Sequence, residues 1–223
     1  MSYRAKINNP DSINKKYFPN GFKATVLHKK PYIVKLRRFL NTEEIEALMA
    51  LGKGKFNQST IILDDTMTLS NTRTSHTAFI TDDGHKKKYS SSIDNVLKKV
   101  CYLVGCERNK IENLMIVRYK EGQEYYNHHD FFEEDFTEML EDGGQRSATF
   151  FCYLNSLDEG EGGETEFPLL GVKSKPSRGT GIFWWDTKKD GTVISKTLHR
   201  GNPVVGKGKV KYGLNIWSRS KGW

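Results

Sequence analysis

The chain has 223 residues, of which 36% are hydrophobic and 12% aromatic, so its length suits one large domain or two small ones with a proper core. Its 35 Lys and Arg residues exceed its 27 Asp and Glu residues by a formal charge of +8. These basic residues are scattered, and no arginine-rich patch with interleaved aromatics predicts a nucleic-acid partner.

The cysteines and the hydropathy of the chain restrict its expected cellular location. Three cysteines without repeated spacing exclude a disulfide framework and a zinc-binding pattern. No apolar run is long enough to span a membrane, and the N-terminal stretch MSYRAKINNPDSINKK lacks the apolar core of a secretory signal. We therefore expect reduced thiols, a cytoplasmic location and no membrane partner.

Two amphipathic helices are predicted in the first half of the chain. Residues 1–25 are polar and mixed, and we interpret them as an arm laid over a single domain of residues 26–223. After an alternating strand at PYIVKLRRFL, the segment NTEEIEALMALG predicts a helix, because Asn41 can cap it and Glu44 completes a capping box. The segment SSSIDNVLKKVCYLVG predicts the second helix. Both helices are expected to cover a sheet.

From residue 111 onward the chain has the texture of an all-β protein. Short β-branched or aromatic runs are separated by Gly, Asp and Lys turns, and they read ENLMIVRY, SATFFCYLN, GTGIFWWD, GTVISKTLHR and KVKYGLNIW. Such spacing is typical of a sandwich or barrel. We predict an α+β, mainly β domain with a jelly-roll core supported by the N-terminal helices.

The stretch YKEGQEYYNHHDFFEED carries a metal-binding pattern. Residues two apart on a strand share a face, so His128 and Asp130 point together and His129 points to the outer surface or the cleft rim. One imidazole and one carboxylate on one face are two-thirds of the facial triad that holds Fe(II) and leaves positions open for substrate and oxygen. Zinc is an alternative occupant, although catalytic zinc usually uses other motifs.

The histidine inventory favours His199 as the third ligand, because it alone lies in the late β region. The remaining histidines, His28, His76 and His85, are interpreted as solvated. An anionic cosubstrate that chelates the iron also needs a cation for its far carboxylate, and a lysine about ten residues after the distal histidine supplies one. The pattern HxD alone is weak evidence, since a histidine beside an acid on a surface strand gives the same letters.

Several stretches together make the resemblance specific. RYKEGQEYYNHHDFF, GGQRSATFFCYLN, EGGETEFP, SNTRTS and LHRGNPV lie in order between residues 31 and 219, and the chain resembles the prolyl 4-hydroxylases of the Fe(II)/2-oxoglutarate dioxygenase superfamily. The resemblance implies a double-stranded β-helix with iron held by His128, Asp130 and His199. It also implies O2 and 2-oxoglutarate as cosubstrates and ascorbate as reductant.

The resemblance assigns the cosubstrate pocket as well. It implies that Tyr119 hydrogen-bonds the far carboxylate of 2-oxoglutarate, with Thr165 beside it. The family's lysine follows the distal histidine by ten residues and precedes an aromatic residue. Lys209 has the spacing, whereas Lys211 precedes Tyr212, so we favour Lys211 and keep Lys209 as second choice. Periodicity does not separate the two lysines, because both are expected on the same strand face.

The substrate implied is a peptidyl proline. The resemblance places four residues in a peptide groove, and Trp217 is added as an aromatic wall for the ring; the full set is Arg73, Ser75, Tyr125, Arg146 and Trp217. Alternatively, Tyr125 packs in the core and Arg146 pairs with Asp142. Because Tyr125 lies three residues before His128, a regular strand would place the two side chains on opposite faces. Only a twist or a bulge near Asn127 then brings Tyr125 to the cleft.

The polar loops 64–76 and 131–145 either close over the peptide as a lid or stay solvated.

Three other functions are weighed against this one. A nucleic-acid demethylase of the same superfamily typically holds its cosubstrate with arginines in an RxxxxxR pattern, but here Arg200 adjoins His199 and the next arginine is Arg219. A lysyl hydroxylase is disfavoured by the RTS and GGQR segments, on family resemblance alone. A non-catalytic peptide-binding jelly roll is disfavoured because it has no need of three intact iron ligands.

Overall fold

The structure is a computed structural model that describes residues 5–18, 21–63, 66–80 and 87–222. Its α-helices are α1 (Thr42–Gly52), α2 (Ser90–Val104) and α3 (Thr137–Glu141). The strands are β1 (Lys23–Lys29), β2 (Tyr32–Arg37), β3 (Asn57–Gln58), β4 (Thr60–Leu63), β5 (Thr66–Leu69), β6 (His76–Ile80), β7 (Leu114–Lys120), β8 (Tyr125–His128), β9 (Arg146–Tyr153), β10 (Thr165–Phe167), β11 (Val172–Ser174), β12 (Gly181–Trp185), β13 (His199–Gly201) and β14 (Val210–Arg219).

Two antiparallel sheets face each other. The major sheet has eight strands in the order β1-β2-β12-β9-β14-β7-β6-β3, and the minor sheet has four in the order β11-β10-β13-β8. β4 and β5 form a separate hairpin. Two facing antiparallel sheets with crossover connections are a jelly roll, so the predicted mainly-β fold is confirmed.

One face of the major sheet is covered by the helices. The capping box at the start of α1 is formed as predicted, because the Asn41 side chain accepts from the Glu44 amide and the Glu44 carboxylate accepts from the Asn41 amide. Apolar residues at alternate positions of β9, such as Phe150 and Cys152, face a core shared with the two long helices. Among the helices of the described ranges, none is long and apolar enough to cross a membrane.

The other face of the major sheet meets the minor sheet. Because side chains alternate along a strand, the residues of β9 between the helix-facing ones, Phe151 and Tyr153, belong to a second core. On β14 the same alternation sends Leu214 and Ile216 to the helices and Trp217 to the space between the sheets. The site therefore lies between two sheets that pack against each other through this second core.

Several local predictions differ from the structure. β1 begins at Lys23, inside the range interpreted as an arm, and the preceding residues Ala5, Ile7, Ile13 and Phe18 are buried in the helix-side core. The loop predicted at 64–76 contains β5, which pairs with the preceding β4 as a hairpin, although residues 64–65 lie outside the described ranges. The second predicted loop, 131–145, contains the short helix α3. His85, interpreted as solvated, also lies outside the described residues.

Candidate active site

Three side chains at the edge of the minor sheet converge. His128 ends β8, Asp130 follows two residues later, and His199 opens β13, where it is paired in register with His128. Their ligand atoms all lie within 4.8 Å of one another. The Asp130 carboxylate is 3.9 Å from His128 Nε2 and 3.7 Å from His199 Nε2. The structure thus brings together all three predicted metal ligands, although β8 ends before Asp130.

Backbone carbonyls fix the tautomers of both histidines. His128 Nδ1 lies 2.7 Å from the Tyr126 carbonyl oxygen, and His199 Nδ1 lies 3.0 Å from the Thr197 carbonyl oxygen. A carbonyl only accepts, so each Nδ1 must carry the proton and each Nε2 keeps its lone pair. Donation of the other ring N–H to a fixed acceptor is the usual support of a metal-bound histidine.

The protonation states suit a divalent cation. Burial lowers the pKa of His199, and burial together with the neighbouring His199 lowers the pKa of His128 well below its usual value. Burial opposes ionisation of Asp130, but the two histidines and Arg146 outweigh it and lower the pKa of that carboxyl. Neutral imidazoles and an ionised carboxylate form the 2-His-1-carboxylate set preferred by non-haem Fe(II), so the residues fit that metal.

A buried lysine lines the same cavity as the three metal ligands. Lys211 is paired in register with Tyr119, and its Nζ is 4.8 Å from the Tyr119 ring centroid and 5.1 Å from that of Phe151. Its side chain is 1% exposed, and burial lowers its pKa to about 7, opposed only in part by Glu164. Within the described chain, no carboxylate forms an ion pair with Lys211. An anionic ligand is the partner that this cation lacks.

A glycine leaves room for that ligand. A Cβ atom on Gly201 would lie 3.7 Å from both Lys211 Nζ and Tyr119 Oη, so the missing side chain keeps the space between them open. Burial raises the pKa of Tyr119 to about 12, so its hydroxyl remains a donor. Thr165 is buried in the cavity wall and is hydrogen-bonded to the Tyr153 hydroxyl at 2.9 Å.

The second-choice lysine is elsewhere. β14 begins at Val210, so Lys209 precedes the strand, and the expectation that it shares a strand face with Lys211 is wrong. Lys209 is exposed and forms an ion pair with Glu161. It directly follows a turn in which its amide donates to the Gly206 carbonyl at 3.0 Å. The structure therefore brings Lys211, and not Lys209, to the metal site.

Tyr125 reaches the cleft through a bulge. The register pairs His199 with His128 but Gly201 with Tyr125, so β8 contains one residue more than β13 over this span. The extra residue turns the Tyr125 ring onto His128, with ring centroids 3.5 Å apart. The predicted bulge near Asn127 is confirmed. Arg73 covers the other face of Tyr125 at 4.8 Å and donates to the Thr60 carbonyl at 2.9 Å.

Ser75 does not take the position expected of it. It is fully buried, its hydroxyl is 2.9 Å from Ser59 Oγ, and it is absent from the cavity wall. A hydrogen bond from the Ser75 side chain instead opposes the rise in the pKa of Tyr119. The expected direct peptide contact of Ser75 is therefore corrected to support of Tyr119.

Arg146 is held by a residue that the sequence analysis missed. Its Nε and Nη2 donate to the two carboxylate oxygens of Glu112 at 2.7 and 2.8 Å, so the alternative pairing with Asp142 is wrong. Its guanidinium stacks 3.7 Å from the Trp217 ring centroid. Glu112 also accepts from Arg219 at 3.1 Å. Glu112 is buried directly before β7, and nothing in its local sequence marks it as a partner of Arg146.

Arg219 attaches the second predicted loop to the site. It donates to the backbone carbonyls of Met139 and Asp142, and its guanidinium lies 4.7 Å from the Phe132 ring centroid. His129 likewise sits at the cavity wall, where it donates from Nε2 to the Ser195 carbonyl at 2.8 Å. His129 therefore lies at the cleft rim, one of the two positions expected for it.

The three metal ligands, Lys211 and Tyr125 line one cavity of about 580 Å³, which the β4–β5 hairpin and the segment around α3 border. A family model described as the 2OG-Fe(II) oxygenase superfamily matches residues 114–219. Prolyl 4-hydroxylase 1 of Arabidopsis thaliana is 31% identical over 216 residues, which are 89% of this chain and 72% of that protein. The chain belongs to the prolyl 4-hydroxylase family of these oxygenases.

Other members support the same assignment. The viral collagen prolyl hydroxylase from Paramecium Bursaria Chlorella virus-1, solved as a 2OG complex, is 30% identical with a TM-score of 0.65, covering 84% of this chain and 95% of that one. Prolyl 4-hydroxylase subunit alpha-2 of Gallus gallus is 29% identical over 86% of this chain, which spans 35% of that protein. This member of the prolyl 4-hydroxylase family is an Fe(II)- and 2-oxoglutarate-dependent dioxygenase.

Proposed function

We propose that the protein is a prolyl 4-hydroxylase that hydroxylates a proline within a peptide, consumes O2 and 2-oxoglutarate, and releases succinate and CO2. The observation that carries this proposal is a single cavity with His128, Asp130 and His199 on one wall and the unpaired cation of Lys211 at depth. Use of ascorbate as reductant stays a prediction.

The metal ligands are His128, Asp130 and His199. Bound Fe(II), together with 2-oxoglutarate, supplies the activation of O2 needed to hydroxylate a C–H bond. The protein's part is to keep each Nε2 unprotonated through the carbonyls of Tyr126 and Thr197. A metal held by these three side chains would keep positions open to ligands from the cavity that they line.

Lys211 and Tyr119 are proposed to bind the far carboxylate of 2-oxoglutarate. The Lys211 ammonium supplies a charge-assisted hydrogen bond, and the Tyr119 hydroxyl supplies a second donor. Thr165 completes the wall, and Gly201 leaves the space that the carboxylate enters. Because the pocket is buried, these donors act where water competes little, which strengthens them.

The peptide is proposed to enter over the mouth of the cavity. Met67, Phe79 and Tyr126 are at least half exposed there, at 66%, 50% and 51%. Exposed apolar side chains at a cleft are typical of a surface that binds an extended partner. Trp217 lines the cavity and offers an apolar wall to a proline ring.

Two polar groups at the mouth are proposed to orient the peptide backbone. The Tyr125 hydroxyl is one donor. Arg146 spends two N–H groups on Glu112 and a weaker one on the Asp130 carbonyl at 3.4 Å, which leaves N–H groups of its guanidinium for a peptide carbonyl. Arg73 is proposed to act through the ring of Tyr125, against which it lies.

The demethylase alternative is disfavoured by the arginines. Arg200 donates to Glu166 at 2.8 Å, and Arg219 is committed to Glu112. Neither arginine replaces Lys211 as a cation for the cosubstrate. Among the described residues, the cation beside Tyr119 and Gly201 is Lys211, a lysine as in the prolyl branch that the sequence resembles.

The test is oxygen placement by mass spectrometry. The protein would be incubated with Fe(II), 2-oxoglutarate, ascorbate, isotopically labelled O2 and a panel of proline peptides, each matched with a lysine-containing peptide and an oligonucleotide. Label on proline supports the proposal, and label on lysine or a nucleobase contradicts it. His128→Ala, Asp130→Ala and His199→Ala are the controls that must abolish turnover. Asp130→Glu must also fail, because an added methylene moves the oxygen beyond the roughly 0.5 Å tolerance of such sites.

A further inference from the structure

A buried carboxyl group stands behind two of the proposed metal ligands. Asp186 is fully buried just after β12. Its Oδ2 lies 2.7 Å from Thr149 Oγ1, which in turn lies 2.9 Å from Asp130 Oδ2. Its Oδ1 accepts from Trp184 Nε1 at 2.9 Å, and the Trp184 ring packs edge-on against His199 with centroids 4.7 Å apart. Asp186 is thus linked to one ligand on each side.

Proton counting gives the direction of this chain. A threonine hydroxyl has one proton, yet Thr149 Oγ1 is hydrogen-bonded to two carboxyl oxygens. Asp130 must be ionised to serve as a ligand, so Thr149 donates to it. Asp186 must then carry a proton and donate it to Thr149. Burial and the negative charge of Asp130 agree with this, because both raise the pKa of Asp186 well above its ordinary value.

We propose that Asp186 is a positioning residue that, as a neutral acid, orients Asp130 through Thr149 and His199 through Trp184. This inference rests on the metal ligands assigned under the proposed function. Such partners hold a ligand in the orientation that binds the metal, and their loss typically weakens metal affinity by about 10–100-fold. The sequence offers only the tripeptide pattern of an acid directly after two tryptophans at the end of a strand.

The test compares an isosteric and a truncating substitution. Co(II) would be titrated into the metal-free full chain, and its visible absorption would report both affinity and ligand geometry. In Asp186→Asn the amide nitrogen can donate to Thr149 and the oxygen can accept from Trp184, so we expect affinity and spectrum close to those of the unaltered protein. In Asp186→Ala both bonds are lost, so we expect about 10–100-fold weaker binding and an altered spectrum. Asp190→Ala, on the exposed turn nearby, is the matched control.

A coupled variant separates positioning from stability. Thr149→Val should reproduce part of the loss of Co(II) affinity. Asp186→Ala should weaken Co(II) binding less in the Thr149→Val background than in the unaltered protein, because the hydrogen bond between Asp186 and Thr149 is already absent there. If Asp186→Ala fails to fold, Thr149→Val alone carries the test. Normal binding by Thr149→Val then overturns the proposal.

Three further results would also overturn the proposal. One is an equal loss of Co(II) affinity in Asp186→Asn and Asp186→Ala, which would mean that Asp186 acts through a negative charge and not as a hydrogen-bond donor to Thr149. Another is normal binding in both. The third is a lower melting temperature of Asp186→Ala with unchanged affinity and spectrum. Asp130→Ala must abolish Co(II) binding in any case, and its failure to do so would refute the metal site separately.

Discussion

Lys211 is the residue on which the cosubstrate assignment depends most directly. It is buried in the wall of the cavity that the metal ligands also line, whereas Lys209 is exposed and paired with Glu161. Loss of a charge-assisted hydrogen bond costs about 1.5–3 kcal/mol, so Lys211→Ala should weaken 2-oxoglutarate binding by roughly 10- to 150-fold. Lys209→Ala is the matched control and should leave it unchanged. A larger effect from Lys209→Ala in a titration of turnover against 2-oxoglutarate would contradict the assignment.

The same residue predicts a pH dependence of cosubstrate binding. Burial lowers the pKa of Lys211 to about 7 without ligand, so the amine is largely neutral at higher pH. A bound carboxylate restores the charge, so binding takes up a proton and affinity should fall by up to about tenfold per pH unit above about pH 7. The ligand-free protein should in contrast gain stability over that range, because the unfolded lysine holds its proton to about pH 10.

Calorimetry checks this proton uptake. Binding of 2-oxoglutarate to the Mn(II)-loaded protein would be measured near pH 8 in buffers of different ionisation enthalpy. We expect close to one proton taken up by the unaltered protein and almost none by Lys211→Met. Binding without uptake would mean that Lys211 is already charged in the ligand-free site.

Tyr125 allows the peptide assignment to be tested by removing a single atom. Its ring is fixed between His128 and Arg73, so Tyr125→Phe keeps the stacking and removes only the hydroxyl. A lost neutral hydrogen bond costs about 0.5–1.5 kcal/mol, so the peptide KM should rise by roughly 2- to 12-fold, with metal and 2-oxoglutarate binding unchanged. Tyr102→Phe, on α2, is the matched control. An equal rise in the 2-oxoglutarate KM would contradict a peptide role.

Residue identity could be predicted only where a pattern of neighbours carried it. His128, Asp130 and His199 belong to local motifs, and Lys211 adjoins an aromatic residue that marked it. Glu112 and Asp186 have no such marker, because their roles arise from contacts with Arg146 and Thr149 that lie 34 and 37 residues away. Contacts of that separation are set by sheet order, which one sequence does not contain.

At the scale of elements, a buried ion pair joins the two long helices. Lys99 of α2 donates to Glu44 of α1 at 2.6 Å and to the Phe39 carbonyl at 2.6 Å. Removal of one partner of a buried pair costs about 3–5 kcal/mol, so Lys99→Met should destabilise the protein by that amount in urea unfolding. Adding Glu44→Gln should recover most of the loss, because Gln removes the buried charge and retains the capping box. If the double variant recovers no stability, the loss in Lys99→Met comes from the missing ion pair and not from the uncompensated charge of Glu44.

Long helices and strands with a clear apolar period were easier to predict from the sequence than short ones. α1 and α2 were predicted within about a residue, because caps and an apolar face define them locally. β10 and β11 have three residues each, too few for a period-2 pattern to register. β8 was predicted as part of a longer strand, and it ends at His128 because the chain turns inward to bring Asp130 toward His199. The irregularity that shortens the strand also builds the site.

The whole molecule places its ligands across the gap between two sheets. Lys211 and Tyr119 belong to the major sheet, and His128 and His199 belong to the minor sheet. A cosubstrate that binds both the metal and Lys211 therefore connects the two layers. Ligands that bind only the folded state add stability in proportion to the logarithm of their concentration over Kd.

Thermal unfolding with and without ligands should report this connection between the sheets. Mn(II) and 2-oxoglutarate at about 100 times their Kd should each add about 2.7 kcal/mol, and at roughly 2–4 °C per kcal/mol each should raise the melting temperature by about 5–10 °C. His199→Ala should lose both increments, because without the metal the cosubstrate keeps only its contacts to the major sheet. Lys211→Ala should keep the metal increment and lose about half to nine-tenths of the second, since its 2-oxoglutarate binding is weakened by roughly 10- to 150-fold. Full stabilisation of Lys211→Ala by 2-oxoglutarate would show that the cosubstrate is held by the metal alone, and that the two sheets are not joined through it.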